Sequence, residues 1–213
     1  MSAQVHTGDE AVSRLEQLGL RVEWIERALL RGDAESRTIS QLAPKGFEGT
    51  VRWGRVAEYL REELCSRGWI PDDTQNIARS ISLDGTDSIV VNTGAKGTGA
   101  VEADPTTKYT KGSGMAAYIE QNFIMLDFAP EDLRKIGVVG KPSTDMRTWF
   151  LLFTVKENVI FSEVSLPDSI SEDGQITSWR ERIVMEPIDL GPDPFPTDDT
   201  GGTDPVVVPI IRR

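Results

Sequence analysis

Cysteine and histidine are almost absent from this sequence, which has one of each. A single cysteine, Cys65, excludes an internal disulfide and a cluster of thiolates around zinc. The single histidine, His6, lies in a polar N-terminal stretch, residues 1–7, for which we expect disorder. The sequence therefore disfavours histidine-based triads and histidine-ligated metals, and we expect no bound metal and no cofactor.

Long apolar runs and an excess of positive charge are also missing. No run approaches the roughly 18 apolar residues of a membrane-spanning helix, and the N-terminus lacks the features of a signal peptide. We therefore expect a cytoplasmic protein without membrane contact. Acidic residues outnumber basic ones by 34 to 23, which gives a net charge of −11. This charge disfavours nucleic acid as a partner without excluding it, because phosphate contacts need a basic face.

The residues that are present predict one α+β domain, which we assign to residues 8–190. Apolar residues recur at helical spacing over residues 8–32, and a second helix is predicted from Thr50 to Arg67. Strand-like runs on either side of residues 84–87 predict one hairpin. Further runs predict an antiparallel meander over residues 148–185. These patterns together predict N-terminal helices packed on a mostly antiparallel β-sheet.

The strongest candidate for a ligand site is a Gly/Lys-rich segment over residues 93–114. Its glycines allow a close backbone approach, and it leads into a predicted helix whose first amides favour an anion. It matches neither a Walker A loop nor a G-x-G-x-x-G motif. Two interpretations stay open, a surface loop rich in turn residues and a phosphate site. The candidate phosphate-binding residues are Lys96, Lys108, Lys111, Gly112, Ser113 and Gly114.

Two carboxylates form a second candidate site. Glu163 lies on the second strand of the predicted meander, and Asp145 precedes the first. Carboxylates on neighbouring strands can hold Mg²⁺. The pair resembles the D…E-x-K layout of restriction-type nucleases over a few residues, although Glu163-Val164-Ser165 lacks the lysine. The alternative, which we favour, is a cross-strand ion pair of Glu163 with Arg180 or Arg182. We accordingly assign no catalytic residues.

The C-terminus has the composition of a linker followed by a docking peptide. Residues 186–205 contain prolines and acids but no bases, and we place an acidic Pro/Gly linker at residues 191–205. Residues 206–213 are apolar and β-branched, which favours an extended strand that adds to a sheet edge of this domain or of a protein partner. The candidate partner-binding residues are Val206, Val207, Val208, Ile210 and Ile211.

Three functions are compatible with these patterns. The leading one is a non-enzymatic binding or accessory protein of a cytoplasmic complex of the bacterial type, supported by the acidic charge, the C-terminal peptide and the lack of a catalytic constellation. The second is a phosphate-handling protein that binds nucleotide or nucleic acid through residues 93–114. The third is a metal-dependent nuclease that uses Asp145 and Glu163. The tryptophans follow apolar patterns, so we interpret them as core residues rather than stacking surfaces.

Overall fold

The computed structural model describes residues 3–127 and 146–191, and within these ranges the chain forms four helices and an eight-stranded sheet. The helices are α1 (Gly8–Gln17), α2 (Val22–Ser36), α3 (Phe47–Cys65) and α4 (Ser113–Asp127). The strands are β1 (Gln4–His6), β2 (Ile70–Asp72), β3 (Arg79–Ile81), β4 (Asp87–Thr93), β5 (Arg147–Lys156), β6 (Val159–Ile170), β7 (Ile176–Val184) and β8 (Ile188–Asp189).

The strand order across the sheet is β1-β7-β6-β5-β4-β3-β2, and β8 pairs with β6. Most neighbours are antiparallel, including the β3–β4 hairpin and the β5–β6–β7 meander. The predicted α+β class is therefore confirmed. Two pairs are parallel, β1 with β7 and β4 with β5. The parallel β4–β5 pair is what positions the candidate site.

The sheet is covered on both faces, which explains the composition of β5. Trp149 and Leu151 belong to the core under α1, α2 and α3. Phe150 and Leu152 belong to a second core that includes Ile119 of α4. Because successive side chains of a strand point to opposite faces, a strand buried on both faces is apolar at every position. Each of these side chains contributes about 1.5–3 kcal/mol when fully buried.

The helical region differs from the prediction of one helix over residues 8–32. Gly19 adopts a left-handed conformation with φ +71°, which ends α1 and lets α2 begin at Val22 in a new direction. Thr50, predicted as the start of the next helix, lies inside it, in the first turn of α3. α3 begins one residue after Gly46, which has φ +83°. The backbone conformations of Gly19 and Gly46 therefore set the end of α1 and the start of α3.

The N-terminus also differs from the disorder expected for residues 1–7. Gln4–His6 form β1, which pairs in parallel with the edge of β7. The His6 Nε2 atom lies 3.1 Å from the Glu181 Oε1 atom of β7, so the strand is held by a side-chain contact as well as by its ladder.

Across the described ranges, no helix is long and apolar enough to cross a membrane. Asp145 and the C-terminal residues beyond Gly191 lie outside the described ranges. The predicted linker and the predicted peptide over residues 206–213 therefore stay predictions.

Candidate functional site

A cavity of about 750 Å³ lies at the carboxyl ends of the parallel strands. It is lined by residues 92–93 of β4 and residues 153–155 of β5. α4 follows β4 in the chain and packs on β5 and β6. Ligands of sheets with parallel strands usually bind in the crevice outside the carboxyl ends. The volume is within the range of about 300–1,000 Å³ that small-molecule sites occupy.

Two helices begin at this cavity. Gly49 and Thr50, in the first turn of α3, contribute to its lining, and so does Gly112, which immediately precedes α4. The Ala116 amide donates to the Gly112 carbonyl at 3.0 Å, so the amides of residues 113–115 precede the helical ladder of α4. Such amides carry the partial positive charge of a helix N-terminus and favour an anion.

The charged residues that line the cavity are basic. Among the described residues of the lining, Arg52, Lys108 and Lys111 are basic and none is acidic. Arg52 is compensated nearby, because its Nε atom lies 2.9 Å from Asp33 Oδ1 and its guanidinium also binds Glu48. Within the described ranges, neither lysine has an acidic partner. The two lysines therefore place two positive charges without acidic partners at the cavity of a chain whose net charge is −11.

Lys111 is held in place at both its backbone and its amine. Its Nζ atom donates to Asn92 Oδ1 at 2.9 Å, and its amide donates to the Gly174 carbonyl at 2.7 Å. A Cβ at Gly174 would lie 2.5 Å from the Lys111 carbonyl oxygen, so this turn can approach Lys111 only with glycine. Desolvation by burial lowers the pKa of Lys111 from 10.5 to about 8. A cation held in this way is preorganised for an anionic ligand.

This arrangement predicts that Lys111 lowers the stability of the ligand-free protein. Replacing Lys111 with methionine is expected to raise the free energy of unfolding at pH 7 by about 1–2 kcal/mol, a figure that allows for the solvent reaching the amine and the lost bond to Asn92. The lysine binds its proton less tightly in the folded state, so its contribution to stability rises as the pH goes from about 8 to 10.5.

The advantage of Lys111→Met over the wild type should therefore shrink across that pH window. Urea denaturation of both proteins at a series of pH values measures it. A Lys111→Met protein that is less stable than the wild type at pH 7 would show that the amine has a structural role.

Residues 94–107 connect β4 to the stretch that contains the cavity residues Lys108 and Lys111, and they form an ordered segment. Gly94 and Thr107 pair as an isolated antiparallel bridge. The segment is fixed to β7 by two bonds, from Trp179 Nε1 to the Pro105 carbonyl at 2.9 Å and from Arg182 to the Ala100 carbonyl at 2.8 Å. A segment anchored in this way holds the following residues, including Lys108 and Lys111, at a defined position.

The close approach of this segment to β6 at Gly99 requires a glycine. Gly99 has φ +73°, and a Cβ there would lie 2.9 Å from the Phe161 Cβ and 3.3 Å from the Ser162 amide nitrogen. Any other residue would be strained by this backbone conformation and would also displace β6. At least one glycine of this segment, Gly99, is therefore needed for packing against β6.

The structure places the predicted phosphate-binding residues in two groups. Lys108, Lys111 and Gly112 line the cavity, and Ser113 and Gly114 are the first residues of α4 beside it. Lys96 is exposed and lies outside the lining.

Sequence reasoning missed Trp53 and Asn92. Trp53 was predicted to be core but is 40% exposed, and its Nε1 atom donates to the Val91 carbonyl at 2.9 Å. Asn92 could have been identified from the sequence as a candidate site residue, because it is a polar residue directly after the apolar run of a buried strand. Its Nδ2 atom is shielded from solvent and has no hydrogen-bond partner among the described residues.

The carboxylate candidate has a different environment. Glu163 Oε2 accepts a hydrogen bond from Arg182 at 2.6 Å, and the two side chains are 0% and 1% exposed. Burial raises the pKa of Glu163, and Arg182 opposes this by favouring the carboxylate. Within the described ranges, no group of three or more metal-binding side chains comes together. The structure thus contains the cross-strand ion pair, and a metal role shared with Asp145 stays a prediction.

Comparison with models of protein families, with curated proteins and with solved structures finds no match to this chain.

Proposed function

We propose that this protein binds a small phosphate-bearing molecule in the cavity between β4, β5, α3 and α4. The observation that supports this most directly is the charge of the lining. Among its described residues it has basic side chains and no acidic ones, although the whole chain has a net charge of −11. Charge of this sign at the ends of parallel strands favours an anion of high charge density, which phosphate is.

The proposed contacts come from three sources. The Lys108 and Lys111 ammonium groups and the first amides of α4 all donate hydrogen bonds, and phosphate accepts bonds at each of its free oxygens. The unpartnered Asn92 Nδ2 atom adds a donor to this region. An anionic ligand could accept hydrogen bonds from these donors.

A small molecule suits this surface better than a nucleic acid. The arginines of α3 outside the cavity are paired with acids. Arg55 contacts Glu58 at 2.7 Å, and Arg61 contacts Asp73 at 2.8 Å. A polyanion needs a continuous basic stripe of unpaired cations. The helix instead presents neutralised pairs beside a confined cavity.

The affinity for a phosphate monoester is expected to fall as the pH rises above about 8, because the Lys111 ammonium loses its proton there. The loss should reach up to about tenfold per pH unit for one linked proton. Ribose 5-phosphate is a suitable ligand, since the second pKa of a phosphate monoester is about 6 and its charge stays constant over this range. Calorimetric titrations from pH 7 to 9.5 measure the effect.

Arg52, Lys108 and Tyr109 also line the cavity, so the variant Lys111→Gln is the control that isolates Lys111. It should bind more weakly at pH 7 and lose the inflection near pH 8. An identical pH dependence in the variant and the wild type would contradict the role given to Lys111, and no binding of ribose 5-phosphate or of any nucleotide by the wild type at low ionic strength would contradict the proposed function.

The two other functions inferred from the sequence stay predictions. The accessory-protein function rests on residues 206–213, which lie outside the described ranges. The nuclease function requires Asp145, which also lies outside them, and Glu163, whose carboxylate is bound to Arg182. Nothing in the described residues favours either over binding in the cavity.

A further inference from the structure

The cavity is much larger than a phosphate group. Its volume of about 750 Å³ is typical of sites that enclose a whole organic molecule. The lysines occupy part of its lining, and much of the rest is apolar or aromatic: Trp53, Ile77, Tyr109, Met115, Phe153 and Val155. A ligand that fills this cavity would therefore carry an organic group with apolar surface.

Two aromatic rings of the lining are exposed. Trp53 is 40% exposed and Tyr109 is 63% exposed. The Trp53 indole is already fixed through its Nε1 atom by the Val91 carbonyl, so what it still offers a ligand is its π surface. Rigid, half-exposed aromatic side chains bind flat rings at a small loss of conformational entropy. Exposure of two such rings in one cationic cavity is not explained by packing in the core.

Four threonines also belong to the lining, Thr50, Thr93, Thr110 and Thr154, and the Thr50 hydroxyl donates to the Gly46 carbonyl at 3.2 Å. Hydroxyl groups both donate and accept hydrogen bonds, which matches the hydroxyls of a sugar. The cavity thus combines cations and helix amides, hydroxyls, and aromatic surfaces.

We infer that the phosphate-bearing ligand is a mononucleotide, with its phosphate at Lys108, Lys111 and the start of α4 and its base against Trp53 and Tyr109. This inference rests on the proposed function and adds the chemical class of the ligand. A polymer is disfavoured by the neutralised surface of α3 beside the cavity.

The test compares three kinds of ligand by calorimetry at low ionic strength. The four common nucleoside 5′-monophosphates are titrated beside ribose 5-phosphate, which lacks the base, and the four nucleosides, which lack the phosphate. At least one nucleotide should bind about tenfold or more tightly than ribose 5-phosphate and than its own nucleoside, as stacking of one base would provide.

The variant Trp53→Ala should weaken the binding of that nucleotide about tenfold or more beyond any change in the binding of ribose 5-phosphate. Leu42→Ala is the matched control, since Leu42 is 96% exposed and lies outside the lining. Trp53→Phe should restore much of the affinity because it keeps a ring. If Trp53→Ala does not fold, Tyr109→Ala supplies the same comparison. Tyr109 is 63% exposed, so its replacement should disturb the fold less.

The outcomes separate the two proposals. If ribose 5-phosphate binds as tightly as every nucleotide, the base makes no contact and this inference fails, while the proposed function stands. If neither ribose 5-phosphate nor any nucleotide binds, both fail. If a nucleoside binds as tightly as its nucleotide, the ring contact stands and the phosphate site fails.

Discussion

Replacing Arg182 with methionine is expected to lower the free energy of unfolding by about 3–5 kcal/mol, the usual result of breaking a buried ion pair by removing one partner. Arg182 and Glu163 are 1% and 0% exposed, with 2.6 Å between Nη2 and Oε2. Without the guanidinium, Glu163 would be a buried charge with no counterion, or would take up a proton. The Ala100 carbonyl would also lose its donor.

The matched control is Arg180→Met on the same strand. Arg180 also contacts a carboxylate, Asp168, at 2.7 Å, but these side chains are 29% and 26% exposed. Because solvent screens such a pair, its loss should cost about 0–1 kcal/mol. The difference between the two variants therefore compares a buried arginine that forms an ion pair with a more exposed one on the same strand.

The double variant Glu163→Gln/Arg182→Met should regain part of the stability, since it removes the uncompensated charge. Urea denaturation of the wild type and the three variants provides the four free energies. An Arg182→Met protein as stable as Arg180→Met would show that the buried pair contributes no more to stability than the exposed one.

Removing both lysine charges from the cavity is expected to weaken phosphate binding by about 100-fold or more. Each charge-assisted hydrogen bond contributes about 1.5–3 kcal/mol, and tenfold in affinity corresponds to 1.4 kcal/mol. The variant Lys108→Gln/Lys111→Gln makes this change without placing an acid in the partly buried position of Lys111. Calorimetry with ribose 5-phosphate measures the loss.

The control Lys45→Gln/Lys96→Gln has the same change in net charge. Lys45 and Lys96 are exposed and lie outside the cavity lining, and Lys96 belongs to the same glycine-rich segment as the cavity lysines. If both double variants bound equally weakly, the attraction would come from the total charge of the protein, and the cavity would have no special role. The control variant is expected to keep nearly all of the affinity.

The sheet was predictable because its signals are local. A run such as residues 149–153 of β5, apolar at every position, indicates a strand buried on both faces, and short polar turns indicate the hairpins of the sheet. The parallel pairing of β4 with β5 was not predictable from these runs. Strand direction depends on the long connection through α4, and the pattern of that connection indicated only a loop and a helix.

Part of the candidate phosphate site could be predicted from the sequence. Lys108, Lys111 and Gly112 stand out because their segment concentrates glycine and lysine in an acidic chain. Trp53 is nearly sixty residues from Lys111 in sequence, and only the packing of α3 against β4 brings it to the cavity. A tertiary contact of this kind leaves no trace in the local pattern, so Trp53 appeared to be one more apolar position of a helix.

The most direct test of phosphate binding in the cavity is a titration of the ¹⁵N-labelled protein with ribose 5-phosphate, followed by NMR. The largest shifts of amide resonances are expected at Lys111, Gly112, Ser113 and Gly114, and these shifts should be lost in Lys108→Gln/Lys111→Gln. The absence of any shift at millimolar ligand, or largest shifts at residues far from the cavity, would contradict phosphate binding in the cavity.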